Sequence, residues 1–116
     1  MFERFLFALR FFTRLPLGNL GGYEGRLADV AVLFPAIGGL IGLITGLVWF
    51  GATVFLPNLP AAGLAIGFCI LLTGALHEDG FADCADGLGP AVSREKSLEI
   101  MRDSRVGSFG AIALVF

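Results

Sequence analysis

Four acids, Glu78, Asp79, Asp83 and Asp86, fall within nine positions, directly after the 47 residues from Val30 to Leu76 that carry no charged side chain. If the apolar helix before them continues past Leu76, a rotation of about 100° per residue sets Asp79, Asp83 and Asp86 within an arc of roughly 60°. Like charges at i,i+3 and i,i+4 repel one another, and a low-dielectric membrane boundary screens them poorly. A hard divalent cation offsets that repulsion. Carboxylate oxygens suit Mg²⁺, which keeps several waters and shares a few carboxylates with substrate phosphates. Gly80 and Gly87 each follow an aspartate, leaving room beside the carboxylates for a phosphate. The competing reading is a solvated helix end, which leaves the shared face and the adjoining glycines unexplained.

A second polar stretch, "SREKSLEIMRDSRVGSFGA", reads as a helix from Arg94 to Ser104 with Ser93 as its N-cap and Gly107 near its end. Glu95, Glu99 and Asp103 recur every four residues, and Lys96 and Arg102 between them suit surface ion pairs. Asp103, Arg105 and Gly107 crowd the start of the next apolar run, where a guanidinium could hold a diphosphate bidentately.

The elements that must position these groups are membrane helices. Hydrophobic residues make up 56% of the chain, charged ones 16%, and the mean hydropathy is +0.84, far from a soluble domain. Crossing a hydrocarbon core takes roughly 20 apolar residues in a helix, and the segments 30–56 and 59–76 qualify. Pro57-Asn58-Leu59-Pro60 between them is a chain-reversing turn, so the fold expected is an all-α integral membrane protein built on a hairpin of two transmembrane helices. A third apolar run from Phe109 stops at Phe116 after eight residues, too few to span. The 116 residues therefore read as a single membrane domain, the N-terminal portion of a longer polytopic protein.

Arg4, Arg10, Arg14 and Arg26 precede the first span, and Arg94, Lys96, Arg102 and Arg105 follow the second. All eight basic residues thus lie on one side of the hairpin, which the positive-inside rule assigns to the cytoplasm. The N-terminus and a catalytic segment over 77–108 are expected there, in a multi-pass protein of a bacterial inner membrane. The net charge of −2 adds nothing to this, and no nucleic-acid partner is expected.

Residues 1–18 place Glu3, Arg10 and Arg14 on one side of a helical wheel and Phe5, Leu6, Leu9 and Phe12 over much of the rest. That pattern suits a helix in the lipid interface, the alternative being a short helix packed on the bundle. Gly38, Gly42 and Gly46, and again Gly63 and Gly67, line helix faces that let another backbone approach, within the chain or in a homo-oligomer. Cys69 lies inside a span and Cys84 outside it, so neither a disulfide nor a zinc site is expected.

"LHEDGFADCADGLG" followed by "LEIMRDSRVGSFGA" resembles the cobalamin synthase family, the adenosylcobinamide-GDP ribazoletransferases of bacterial vitamin B12 biosynthesis. The two motifs cover residues 73–111, with Cys84 standing where the family would carry threonine. The resemblance implies that the hydroxyl of alpha-ribazole, or of its 5'-phosphate, attacks the cobinamide-linked phosphorus of adenosylcobinamide-GDP and displaces GMP. It assigns Asp79, Asp83 and Asp86 to Mg²⁺, with Glu78 and Asp103 as further or outer ligands. Asp86 or His77 would take the hydroxyl proton, Gly80 and Gly87 would make room for the substrate, and Arg105 would contact the leaving nucleotide's phosphate.

A weaker echo is of the CDP-alcohol phosphotransferases, whose metal motif begins DxxDGxxAR. Asp83 to Gly87 reproduce DxxDG, but Gly89 and Pro90 depart from the rest. A cation-coupled transporter is less favoured, because such proteins carry ionisable groups near mid-bilayer and residues 30–76 have none.

Overall fold

The computed structural model describes residues 1–17 and 25–116, and among them every regular element is helical. The chain forms two compact units, Met1–Gly74 and Ala75–Phe116.

In the first unit, α1 spans Phe2–Phe12. It stops short of the expected residue 18, which lies outside the described residues. Thr13 is already extended (φ −134°, ψ 157°), its hydroxyl donates back to the Leu9 carbonyl at 2.7 Å, and Pro16 cannot continue a helix. The Arg14 N–H instead donates to the Leu72 carbonyl at 2.8 Å.

A 3₁₀ helix over Leu27–Leu33 leads into α2, Phe34–Ala52. Pro35 causes the change of winding: without an N–H it cannot make the bond to residue 31 that an α-helix needs, and the Phe34 N–H takes the Ala31 carbonyl instead. Together Leu27–Ala52 make the one described helix long and apolar enough to cross a membrane, 26 residues reaching a mean hydropathy of 2.2. The expected span ran to residue 56, but turn residues follow Ala52, with the Thr53 hydroxyl donating to the Phe50 carbonyl.

α3, Asn58–Thr73, packs along α2 and has 16 residues, fewer than the roughly 20 of a full span. It does not run to residue 76. Gly74 takes the left-handed conformation (φ 68°) and its N–H bonds the Ile70 carbonyl, a glycine C-cap. Ala75 follows, also left-handed at φ 59°, so the expected continuous helix is broken there.

The core of this unit joins Ala8 and Leu9 of α1, Val30, and Ile37 and Ile41 of α2, with Phe12 and Phe34 packed edge to face at 4.8 Å between centroids. The glycine faces meet no other backbone among the described residues. A β-carbon on Gly38, Gly42, Gly46, Gly63 or Gly67 would meet no described atom within 4 Å. The small residues that α3 buries are Ala61 and Ala65, four apart on the side opposite Gly63.

The second unit contains α4 (Leu76–Leu88), α5 (Arg94–Arg102) and α6 (Ser108–Val115). α4 packs against both of the others. α5 ends at Arg102, short of the expected Ser104, and its N-cap is Ser93 as the sequence indicates, the hydroxyl oxygen accepting from the Lys96 N–H at 3.3 Å.

Candidate active site

All four acids of the cluster, together with His77, Gly80 and Gly87, lie on α4. The break at Gly74 leaves their spacing intact, because Asp79, Asp83 and Asp86 still share one helix and therefore one arc of roughly 60°. Their surroundings diverge. His77 and Asp79 are exposed, Asp83 and Glu78 are half-buried, and Asp86 is only 7% exposed.

Asp86 is turned to α6. Its Oδ2 accepts the Gly107 N–H at 2.6 Å and its Oδ1 the Gly110 N–H at 2.7 Å. These are first-turn donors with no partner inside their own helix, and a carboxylate there is favoured by the helix dipole as well. Oε2 of Glu78 is buried with no hydrogen-bond partner among the described residues, an arrangement that costs free energy unless something neutralises it.

Asp103 lies beyond α5 and grips Arg105. The guanidinium Nη2 donates to Oδ2 at 2.8 Å and Nε to Oδ1 at 3.1 Å, while the Arg105 backbone N–H also reaches Oδ1 at 3.1 Å. The Arg105 side-chain bonds, then its backbone bond, hold the Asp103 carboxyl below its ordinary 3.8. The same fork raises the Arg105 guanidinium.

The two glycines expected to make room for substrate differ. A β-carbon on Gly80 would meet nothing within 4 Å, whereas on Gly87 it would lie 2.5 Å from the Met101 methyl. The space beside Gly87 is therefore filled by α5. Among the described residues no three His, Cys, Asp or Glu side chains gather where they could hold one metal ion, so the five acids expected as ligands do not form a cage. Cys69 and Cys84 are both free thiols.

A cleft of about 460 Å³ opens in this unit, lined by Asp86, Asp103, Arg105, Gly107, Ser108 and Phe109 among others. Sequence reasoning reached Asp103, Arg105 and Gly107 but missed Gly110, Met101 and Phe109. The i,i+3 spacing of Gly107 and Gly110 was the available signal; their acceptor lies 21 and 24 residues away, a separation that no local pattern reveals.

The family model described as cobalamin-5-phosphate synthase matches residues 4–116. The chain belongs to that family. The cobalamin-5-phosphate synthase match takes in the whole of α4, α5 and α6, and so every residue of the cleft. Among curated relatives, the chain is 52% identical over 115 residues to an adenosylcobinamide-GDP ribazoletransferase of Azorhizobium caulinodans, covering 94% of this chain and 43% of that protein. Proteins of the same name from Shewanella amazonensis and Vibrio parahaemolyticus are 48% and 41% identical, each over 97% of this chain and 44% and 43% of their own length. The chain thus spans a little under half the length of these relatives. No solved structure matches it.

Proposed function

We propose that this chain carries part of the active site of an adenosylcobinamide-GDP ribazoletransferase embedded in a bacterial inner membrane. The observation that carries the reading is the family match over residues 4–116, which includes the acidic helix and the cleft. In the reaction, the hydroxyl of alpha-ribazole or its 5'-phosphate attacks the cobinamide-side phosphorus of adenosylcobinamide-GDP. The new P–O bond replaces the diphosphate linkage, GMP leaves with the bridging oxygen, and the hydroxyl proton passes to a base.

Mg²⁺ commonly takes only one or two protein carboxylates, with water and substrate phosphates completing the shell. Asp79 and Asp83, one turn apart on α4, fit that requirement, and the buried Glu78 oxygen that has no hydrogen-bond partner among the described residues lies on the same helix. Bound there, the ion would offset diphosphate charge during in-line transfer. Asp103 serves as the partner that orients Arg105. Arg105 presents its guanidinium at the cleft, where a phosphate of the leaving nucleotide can compete for the fork. With both Asp86 oxygens on backbone donors, we assign the hydroxyl proton to His77, which is exposed in the first turn of α4.

Membrane embedding rests on Leu27–Ala52 and on the apolar side chains that α2 and α3 expose, among them Leu43, Leu47, Phe50, Leu59, Leu64 and Leu71. Patches of this extent suit lipid or another membrane helix rather than water. We infer a two-helix hairpin with both polar ends cytoplasmic, α1 at the interface, and open glycine faces available for packing, including in a homo-oligomer. The deciding assay is GMP release from adenosylcobinamide-GDP plus alpha-ribazole by the full-length protein, with Mg²⁺ titrated. Absence of GMP release under all Mg²⁺ concentrations would refute the reading.

A further inference from the structure

Of the acids on α4, Asp86 differs in kind from the others: it is buried, and each of its oxygens accepts a backbone N–H from the first turn of α6. The glycines that donate are required by that contact. A β-carbon on Gly107 would come within 2.5 Å of Oδ1, and one on Gly110 would strike Oδ2 and lie 2.9 Å from the Ala82 carbonyl. Carboxylate, glycine pair and the small residue Ala82 therefore form a lock that seats the start of α6 on α4.

The lock has a consequence for the cleft. Only the five residues 103–107 lie between the last residue of α5 and the first of α6, and Arg105 is in their middle. Its N–H and guanidinium are tied to Asp103 on one side, while Gly107, two residues on, is tied to Asp86. We propose that Asp86 is a positioning residue, capping α6 from α4 so that the 103–107 segment holds Arg105 at the cleft where a substrate phosphate docks. This rests on the reading of Arg105 as a phosphate-binding group. It differs from a role for Asp86 as metal ligand or base, either of which would have to share its oxygens with two backbone donors.

The lock also fills the anion-binding place at the N-terminus of α6. A phosphate there would compete with a carboxylate already held by two charge-assisted bonds, so the phosphate is left to Arg105.

The test uses the full-length enzyme with Asp86→Asn, Arg105→Ala, the double variant, and Glu95→Gln on the exposed face of α5 as control. The asparagine keeps the shape but turns an NH₂ toward one of the two N–H donors. Expected is a rise in KM for adenosylcobinamide-GDP of about tenfold or more, the scale of losing a hydrogen bond to a charged group. The midpoint of Mg²⁺ activation should stay within about twofold of the parent, since the ion's own ligands are untouched. Amide exchange should quicken at residues 107–110 while protection across α2 and α3 persists, and in the Arg105→Ala background the Asp86→Asn change should add little to KM. A shifted Mg²⁺ midpoint with unaltered exchange at 107–110 would overturn the proposal in favour of a metal ligand, and additive KM effects would overturn action through Arg105.

If Asp86→Asn also loses protection across α2 and α3, Gly110→Ala approaches the same lock with the carboxylate intact. It should reproduce the KM rise and the local exchange, and a Gly110→Ala enzyme normal in both defeats the proposal. A normal KM in Arg105→Ala would instead sink the phosphate reading, and the positioning role with it, while quickened exchange in Asp86→Asn would still report the cap.

Discussion

At the scale of single residues, the acids on α4 separate by what they touch. Asp83 is half-buried on the face it shares with Asp79, and Asp83→Asn removes one charge at nearly constant shape. In the full-length enzyme kcat should fall at least about a hundredfold, because an ion clamping a diphosphate supplies several kcal/mol to the transition state. Glu95→Gln, by contrast, should leave GMP release unchanged; near-normal turnover and Mg²⁺ dependence in Asp83→Asn would reduce the acidic face to a solvated helix end. Asp103 offers a pH test. Its carboxyl is depressed by Arg105 below its ordinary 3.8, so the pair's contribution is present above that value and is lost as pH falls through the lower folded one. Both side chains reach solvent, so the contribution is small. A carbon-detected NMR titration should show the Asp103 carboxyl returning toward 3.8 in Arg105→Ala; an unmoved titration would show that the fork does not form in solution.

At the scale of elements, the junction between α3 and α4 is decided by two successive left-handed residues, one suited to that conformation and one not. Gly74 at φ 68° carries no penalty, whereas Ala75 at φ 59° bears the strain of an L-residue there. Gly74→Ala should destabilise by about 1–2 kcal/mol from the backbone alone, and the new β-carbon would also displace the Arg14 side chain, 2.6 Å away at Nε. Ala75→Gly should act in the opposite direction, by about 1 kcal/mol or less after glycine's entropy is counted. Thermal midpoints of the two variants in detergent should therefore move apart, and movement in the same direction would mean that the helix does not break at this pair.

At the scale of the whole molecule, the segregation of basic residues sets the expected sidedness. In full-length protein with Cys69→Ala and Cys84→Ser, single cysteines at Leu17 and Glu95 should both react with an impermeant thiol reagent only when the cytoplasmic face is open. Labelling from opposite faces would rule out a two-span hairpin. Neither position lies in a helix core, since Leu17 follows α1 and Glu95 is exposed on α5.

Much of this was legible without coordinates, because the signals are local or compositional. Helical class, the apolar run through Ile37 and Ile41, the Ser93 cap and the acid face of Asp79 and Asp83 follow from hydropathy, periodicity and capping chemistry, each acting over a few residues. The two motifs carried the family for a similar reason, as unbroken strings. Tertiary structure alone decided that Asp86 caps α6, that Met101 fills the space beside Gly87, and that Ala61 and Ala65 rather than Gly63 and Gly67 face the core. Each of those depends on which of several chemically suitable surfaces meet, and a carboxylate accepts a backbone N–H as readily as it accepts a metal ion. Only the placement of residues 21 and 24 positions away distinguishes the two.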